Sequence, residues 1–215
     1  MTGPGRNQWR RRRGYHHGNL REVLIEAARQ LIEQRGPEGF SLTEAAKLAG
    51  VSPAAPYRHF RDREALISEV ARSGFDRFAG MLDVAWDDGR PTPIAAFENM
   101  GRAYLAFARD EPASYAAMFE AGLSVDKLPE LQTAADRAFG VLRRASSRLA
   151  ESIPAKAQPP GDLMSLHVWA LSHGIATLFA EGKPGRGKVP MKPEEVLEAG
   201  MLIYLKGLGV ISGEG

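Results

Sequence analysis

The sequence predicts an all-α fold: an N-terminal three-helix head with a helix-turn-helix, joined by a long helix to a larger helical C-terminal domain. Three observations lead there. Apolar residues recur at three- and four-residue spacing through most of the chain, and nothing after residue 90 alternates as a strand would. Caps and glycine stops divide residues 40–60 into two short helices around a tight turn. One apolar series then runs from Asp62 to about Ala85, too long to belong to the head alone.

Residues 1–14 combine Gly, Pro and the run Arg10, Arg11, Arg12 and Arg13, a composition expected to be disordered alone. Such an arm can neutralise phosphates or lie in a minor groove. His16 and His17 are adjacent and cannot easily share one metal, so they read as phosphate-facing or capping groups. Asn19 caps a helix over residues 20–35 whose apolar stripe is Val23, Leu24, Ala27, Ala28, Leu31 and Ile32, and Gly36 with Pro37 ends it. Thr43 carries an N-cap oxygen ahead of EAAKLA, which starts a short helix reaching about Ala49. Gly50 closes that helix in the left-handed conformation, and Val51 plugs the angle between two helices. Ser52 is the next cap and Pro53 the first helical residue, so a second helix spans residues 53–60, shortened by Pro56.

That second helix offers only Tyr57 and Phe60 to a core, which leaves its outer face small and polar. Ala54 and Ala55 let backbone approach a groove floor, while Tyr57, Arg58 and His59 can donate to phosphates or base edges. An ordinary hairpin with a solvated second helix is the bland alternative. Leu24, Ala28, Leu31, Phe40, Leu42, Val51 and Phe60 should form one small core supporting this head. Asp62 caps the long helix, and Arg63 in its first turn makes electrostatic sense if that helix end meets a phosphate.

From LREVLIEAARQLIEQRG through GVSPAAPYRHFRDREAL, the chain closely resembles the DNA-binding domain of the TetR family of transcriptional regulators. The matching features are Thr43 before the Ala45 and Ala46 pair, the A-G-V-S turn from Ala49 to Ser52, the Tyr57 to Phe60 run, and Arg63 heading the next helix. Ala45 stands where a larger aliphatic is usual, and Pro56 where Leu is usual. The resemblance implies a homodimer whose two reading helices enter successive major grooves of a palindromic double-stranded operator. The DNA-facing set it suggests is the four arginines of the arm, Thr43, Ser52, Pro53, Ala54, Ala55, Tyr57, Arg58, His59 and Arg63.

Charge supports the division. Residues 1–63 hold 12 Lys or Arg against 6 Asp or Glu, whereas residues 64–215 hold 16 against 20, so the positive end is the one that would meet a polyanion. A membrane surface would want a basic amphipathic helix with exposed apolar groups, and the arm has mainly Trp9. No long apolar run suggests a membrane span, no signal segment opens the chain, and cysteine is absent, so a cytoplasmic protein without disulfides is expected. Catalytic, metal and cofactor signatures are missing: there is no H-E-x-x-H, no G-x-S-x-G and no dinucleotide glycine pattern. The segment GKPGRGK is not a phosphate loop, because Val189 follows Lys188 where Ser or Thr is required. An enzyme is therefore not expected.

The domains expected are a basic arm over 1–14, the helix-turn-helix over 15–62, and a ligand-binding and dimerisation domain over 63–215. In the last, helices are predicted at 93–109, 111–121, 128–152, 161–181 and 193–208. Phe97, Met100, Tyr104, Phe107, Met118, Phe119, Trp169 and His173 are candidates to line a small-molecule effector pocket. Taken alone, His173 reads as a hydrogen-bonded packing residue. Leu166, Ala170, Gly174 and Leu178 on one helix, with Leu197, Met201 and Tyr204 on the last, are candidates for a two-fold four-helix dimer interface. The Trp, His, Gly pattern of WALSHG resembles the C-terminal domain of one branch of TetR-like regulators. A helical dimer attached to RNA or membrane by its arm is the competing function, and it leaves Tyr57 and His59 dispensable.

Overall fold

A computed structural model describes residues 20–151, 153, 158–159, 162–180 and 190–210. The arginine arm, His16, His17, Asn19 and most of the 181–193 loop lie outside the described residues. Eight α-helices are present among those described, and no strand: α1 (Leu20–Arg35), α2 (Leu42–Leu48), α3 (Arg63–Trp86), α4 (Pro93–Asp110), α5 (Pro112–Phe119), α6 (Pro129–Ala150), α7 (Leu163–Phe179) and α8 (Pro193–Gly207).

The head forms around Leu24, Ala28, Leu31, Phe40, Leu42 and Phe60, all buried, with Val51 packed against them. Val23 is the exception in the expected stripe: it is 42% exposed, on the outer side of α1. Gly50 closes α2 at φ +71°, where a side chain would be strained.

The cap of α2 is Ser41, not Thr43. Its Oγ accepts from the Glu44 N–H at 3.3 Å, and Glu44 Oε2 accepts from the Ser41 N–H at 2.9 Å. Such a reciprocal box needs a Glu or Gln three residues after the cap. Ser41 has one and Thr43 does not, since Ala46 lies three beyond it. Glu44 also takes Arg35 Nη1 at 2.7 Å, which ties the end of α1 to the start of α2.

The second helix of the hairpin is shorter than predicted. Only Pro56–Arg58 is helical, as one 3₁₀ turn. In an α-helix the residue at 56 would donate to the Ser52 carbonyl, which Pro cannot do, and its ring would press on that carbonyl. Ala55 N–H bonds Ser52 instead at 3.0 Å, followed by His59 N–H and Phe60 N–H to the Pro56 carbonyl, both at 2.9 Å. Pro56 itself is fully buried in the head.

Helix α3 is the spine. Asp62 Oδ1 accepts from the Ala65 N–H at 2.8 Å, and the buried series Leu66, Ile67, Val70, Phe75, Phe78, Leu82 and Trp86 carries one core from head to body. Asp76 meets Arg137 at 2.5 Å and Asp83 meets Arg144 at 2.9 Å. The two pairs keep the same order on both helices, so α3 and α6 run side by side in one direction. Helix α8 crosses α4 closely, with Leu197 Cδ2 only 2.9 Å from where a Cβ on Gly101 would stand.

Candidate nucleic-acid interface and internal cavity

The turn after α2 presents Ser52, Pro53, Ala54, Tyr57, Arg58 and His59 to solvent, with Ala55 half-buried between them. Tyr57 is 60% exposed, a large burial opportunity left unused. Its neighbours explain why: Pro56 and Phe60 face inward and anchor the segment, so residues 57–59 must face outward. Thr43 is exposed on α2, and Lys47 lies on the same exposed side one turn later. The i, i+4 spacing was available in the sequence as a signal for Lys47, which the motif match does not single out.

Ion pairing separates the cations of this face. Among the described residues, Lys47 and Arg58 have no acidic partner. Arg61 pairs with Asp62 at 2.7 Å. Arg63 donates Nη1 to the carbonyls of Glu38 at 2.8 Å and Pro37 at 3.3 Å. It holds the turn between α1 and α2, whose carbonyls have few other donors within reach.

Two partly buried ionic clusters tie this head to the body. Glu111 accepts from Arg29 of α1 at 2.7 Å, Arg77 of α3 at 3.1 Å and Ser114 at 3.0 Å. Glu69, on α3, takes Arg21 of α1 at 2.6 Å and Arg72 Nε at 3.0 Å, while Arg72 also reaches Asp76 at 2.9 Å. Burial would raise the Glu69 carboxyl, but the hydrogen bonds of Arg72 and then Arg21 outweigh it and hold its pKa below the usual range.

The body holds a partly open cavity of about 180 Å³ between α3, α4, α6 and α7. Of the predicted lining, Phe97, Met100, Tyr104, Phe119 and Trp169 face it. Phe107, Met118 and His173 do not. Phe107 is buried against Phe78, ring centroids 4.9 Å apart, and Met118 packs where α5 crosses Gly74. His173 lies behind the wall, its Nδ1 shared by the hydroxyls of Tyr104 at 3.0 Å and Tyr115 at 2.9 Å. Trp169 packs on its ring at 5.4 Å and Phe119 meets it edge-on at 5.0 Å. Burial lowers the His173 pKa and raises those of Tyr104 and Tyr115, so all three are neutral near pH 7. Most of the remaining lining comes from α3 and α6, including Phe75, Leu82, Ala138 and Phe139, with Gly101 of α4 and Val168 and Ser172 of α7; helical spacing alone does not direct these residues to a pocket.

The predicted dimer residues divide as well. Leu166, Ala170 and Leu178 are exposed along one side of α7. Leu197 and Met201 are 2% and 4% exposed within the protomer, so they belong to its core. Tyr204 is half-buried, its hydroxyl 3.2 Å from His167 Nδ1. The outward apolar groups of α8 are Leu202 and Ile203, the latter 73% exposed. Among the described residues no helix is long and apolar enough to cross a membrane, and no cluster of three metal-ligating side chains occurs.

Comparison with known proteins agrees with both halves of this architecture. Residues 24–70 match the family model for bacterial regulatory proteins of the tetR family, and residues 97–203 match the tetracyclin repressor-like C-terminal domain. The transcriptional repressor BepR of Brucella suis is 38% identical over 93 residues, 42% of this chain and 44% of that protein. The HTH-type regulator YobS of Bacillus subtilis is 28% identical over 104 residues, 46% of this chain and 51% of its own. The matches thus span about half the length of these curated relatives. A solved Rhodococcus sp. RHA1 protein of unknown function is 32% identical, with a TM-score of 0.71 and coverage of 92% of this chain and 99% of that one. The fatty acid degradation regulator FadR of Bacillus halodurans shares the fold at 14% identity and a TM-score of 0.70, covering 89% of this chain and 97% of its own. With one family model matched across its head and another across most of its body, the chain belongs to the TetR family of transcriptional regulators.

Proposed function

We propose that the chain is a homodimeric repressor that binds a palindromic operator through residues 43–59 and is released by a small molecule in the body. The observation that carries this reading is the outward face of Tyr57, Arg58 and His59 on a head whose spine, α3, also forms one wall of the internal cavity. A guest wedged between α3 and α6 moves the same helix that carries the reading segment. The unit over residues 15–62 reads DNA, and residues 63–215 bind ligand and pair. Pairing uses Leu166, Ala170 and Leu178 of α7 with Ile203 of α8, an exposed apolar face that water disfavours.

Two heads in such a dimer would read half-sites about 34 to 36 Å apart, one turn of duplex. To drive the population from almost wholly bound to almost wholly released, the effector must prefer the released form by about 5.5 kcal/mol. Arg58 and Lys47 supply phosphate contacts, Tyr57 and His59 base-edge or phosphate contacts, and the 1–14 arm adds further charge. Access to chromosomal DNA places the protein in the cytoplasm.

Selection of bound fragments from random duplex DNA, followed by gel-shift titration of the recovered sequence, tests the reading. An inverted repeat bound by the wild type and bound poorly by Tyr57→Ala and His59→Ala is the expected result. Equal affinity for all fragments, or no loss in both variants, refutes it.

A further inference from the structure

The cavity also restricts the chemistry of its guest. At about 180 Å³ it is little larger than the ~150 Å³ apolar cavities that take up benzene or xenon. Seven aromatic rings line it, from Phe75 and Phe78 of α3 to Trp169 of α7, and no acidic, basic or imidazole side chain does among the described residues. These rings hold one another in place. Phe78 meets Tyr104 edge-on at 5.0 Å, and Trp169 lies over His173 at 5.4 Å, so the walls are braced from behind.

Polar capacity in the wall is small. The Tyr104 hydroxyl is occupied by His173, whose Nδ1 it shares with Tyr115. Beside it the lining offers the Ser172 hydroxyl, while the Trp169 indole N–H is directed at the Tyr104 hydroxyl. A charged guest would lose its water with no counter-charge against it, which is strongly unfavourable. A quaternary ammonium ion would find aromatic faces that attract it, but no carboxylate among the described lining residues to neutralise it.

We infer that this site takes an uncharged, compact molecule of benzenoid size, with no more than one hydrogen-bonding group. The assignment of that molecule as the releasing effector rests on the function proposed above; its binding does not.

Calorimetric titration of the full-length protein with toluene, phenol, benzoate and tetramethylammonium tests the inference, with bromobenzene quenching of Trp169 emission as the readout of location. Toluene and phenol are expected to bind, and benzoate and tetramethylammonium to bind at least about tenfold more weakly. Quenching should disappear in Trp169→Phe. Ala138→Phe and Val168→Phe, which fill the cavity from α6 and from α7, should each abolish toluene binding. The inference is overturned if either ion binds as tightly as toluene, if neither neutral probe binds, or if toluene binding survives in a folded filled variant. Operator release is read separately by gel shift: toluene bound without release refutes the effector role and leaves the ligand class standing.

Discussion

Arg29 of α1 and Glu111, just ahead of α5, meet at 2.7 Å across 82 residues of sequence, and their ion pair fastens the head to the body. Arg77 of α3 shares the same carboxylate at 3.1 Å, so α1, the α3 spine and the α4–α5 corner converge on one group. A carboxylate that accepts from two guanidinium groups on different helices fixes both against a single point, which makes the joint rigid.

Glu111→Gln should therefore loosen the joint without emptying the core. Its side chain is about a quarter exposed, so the expected loss of stability is modest, about 1 to 2 kcal/mol by urea unfolding. The larger effect is expected in coupling. Ligand binding should persist while ligand-induced operator release weakens severalfold, and full release in the variant would show that coupling runs elsewhere.

On the DNA side, Arg58→Ala should weaken operator binding and lower the log-log salt slope by about 0.9 for each phosphate that Arg58 neutralises. Its thermal unfolding should not move, since the side chain is exposed and has no acidic partner among the described residues. Arg63→Ala should behave in the opposite manner. It removes donors from the Pro37 and Glu38 carbonyls, so it should lower stability by about 1 kcal/mol and leave the salt slope unchanged. Salt-dependent gel shifts and thermal melts on both proteins distinguish the roles.

For the proposed pairing face, sedimentation of Ile203→Glu should report a folded monomer, because the charge sits on an exposed apolar surface of α8. Leu197→Ala should leave the oligomer intact and cost about 2 to 5 kcal/mol, since that side chain fills the space over Gly101 inside the protomer. A dimeric Ile203→Glu protein would remove α8 from the interface.

Stability should form a plateau over roughly pH 7 to 9. Burial depresses the folded pKa of His173, so its contribution is present above the unfolded value of about 6.5 and is lost as pH falls. Glu69 adds a second loss at lower pH, below the unfolded value of about 4.3. Tyr104 and Tyr115 are raised by burial, so their contribution is present below about 10 and declines as pH rises past it. Urea midpoints measured against pH check this, and His173→Gln should remove the loss that sets in as pH falls below about 6.5.

Much of the helical layout was legible in the residues alone. Caps, glycine stops and three- to four-residue periodicity are local, and they placed α1, α3, α4 and α8 within a residue or two of their observed ends. Local rules also conflict, as at Thr43: two plausible caps stand two residues apart, and only Ser41 has the partner that closes a capping box. At Pro56 the sequence shows a helix breaker, while its burial depends on Phe60 and α1 meeting around it.

By itself, then, the sequence determined an all-helical chain with a basic reading head, a long spine and apolar stripes on the helices behind it. Tertiary structure alone decided what each stripe covers. An amphipathic face records that apolar surface must be hidden, not whether its own protomer or a second copy hides it, which is why Leu197 and Met201 proved internal and Ile203 external. The cavity was undetermined for the same reason. It is a space between α3, α4, α6 and α7, and a gap between packed helices is a property of their mutual placement rather than of any one of them.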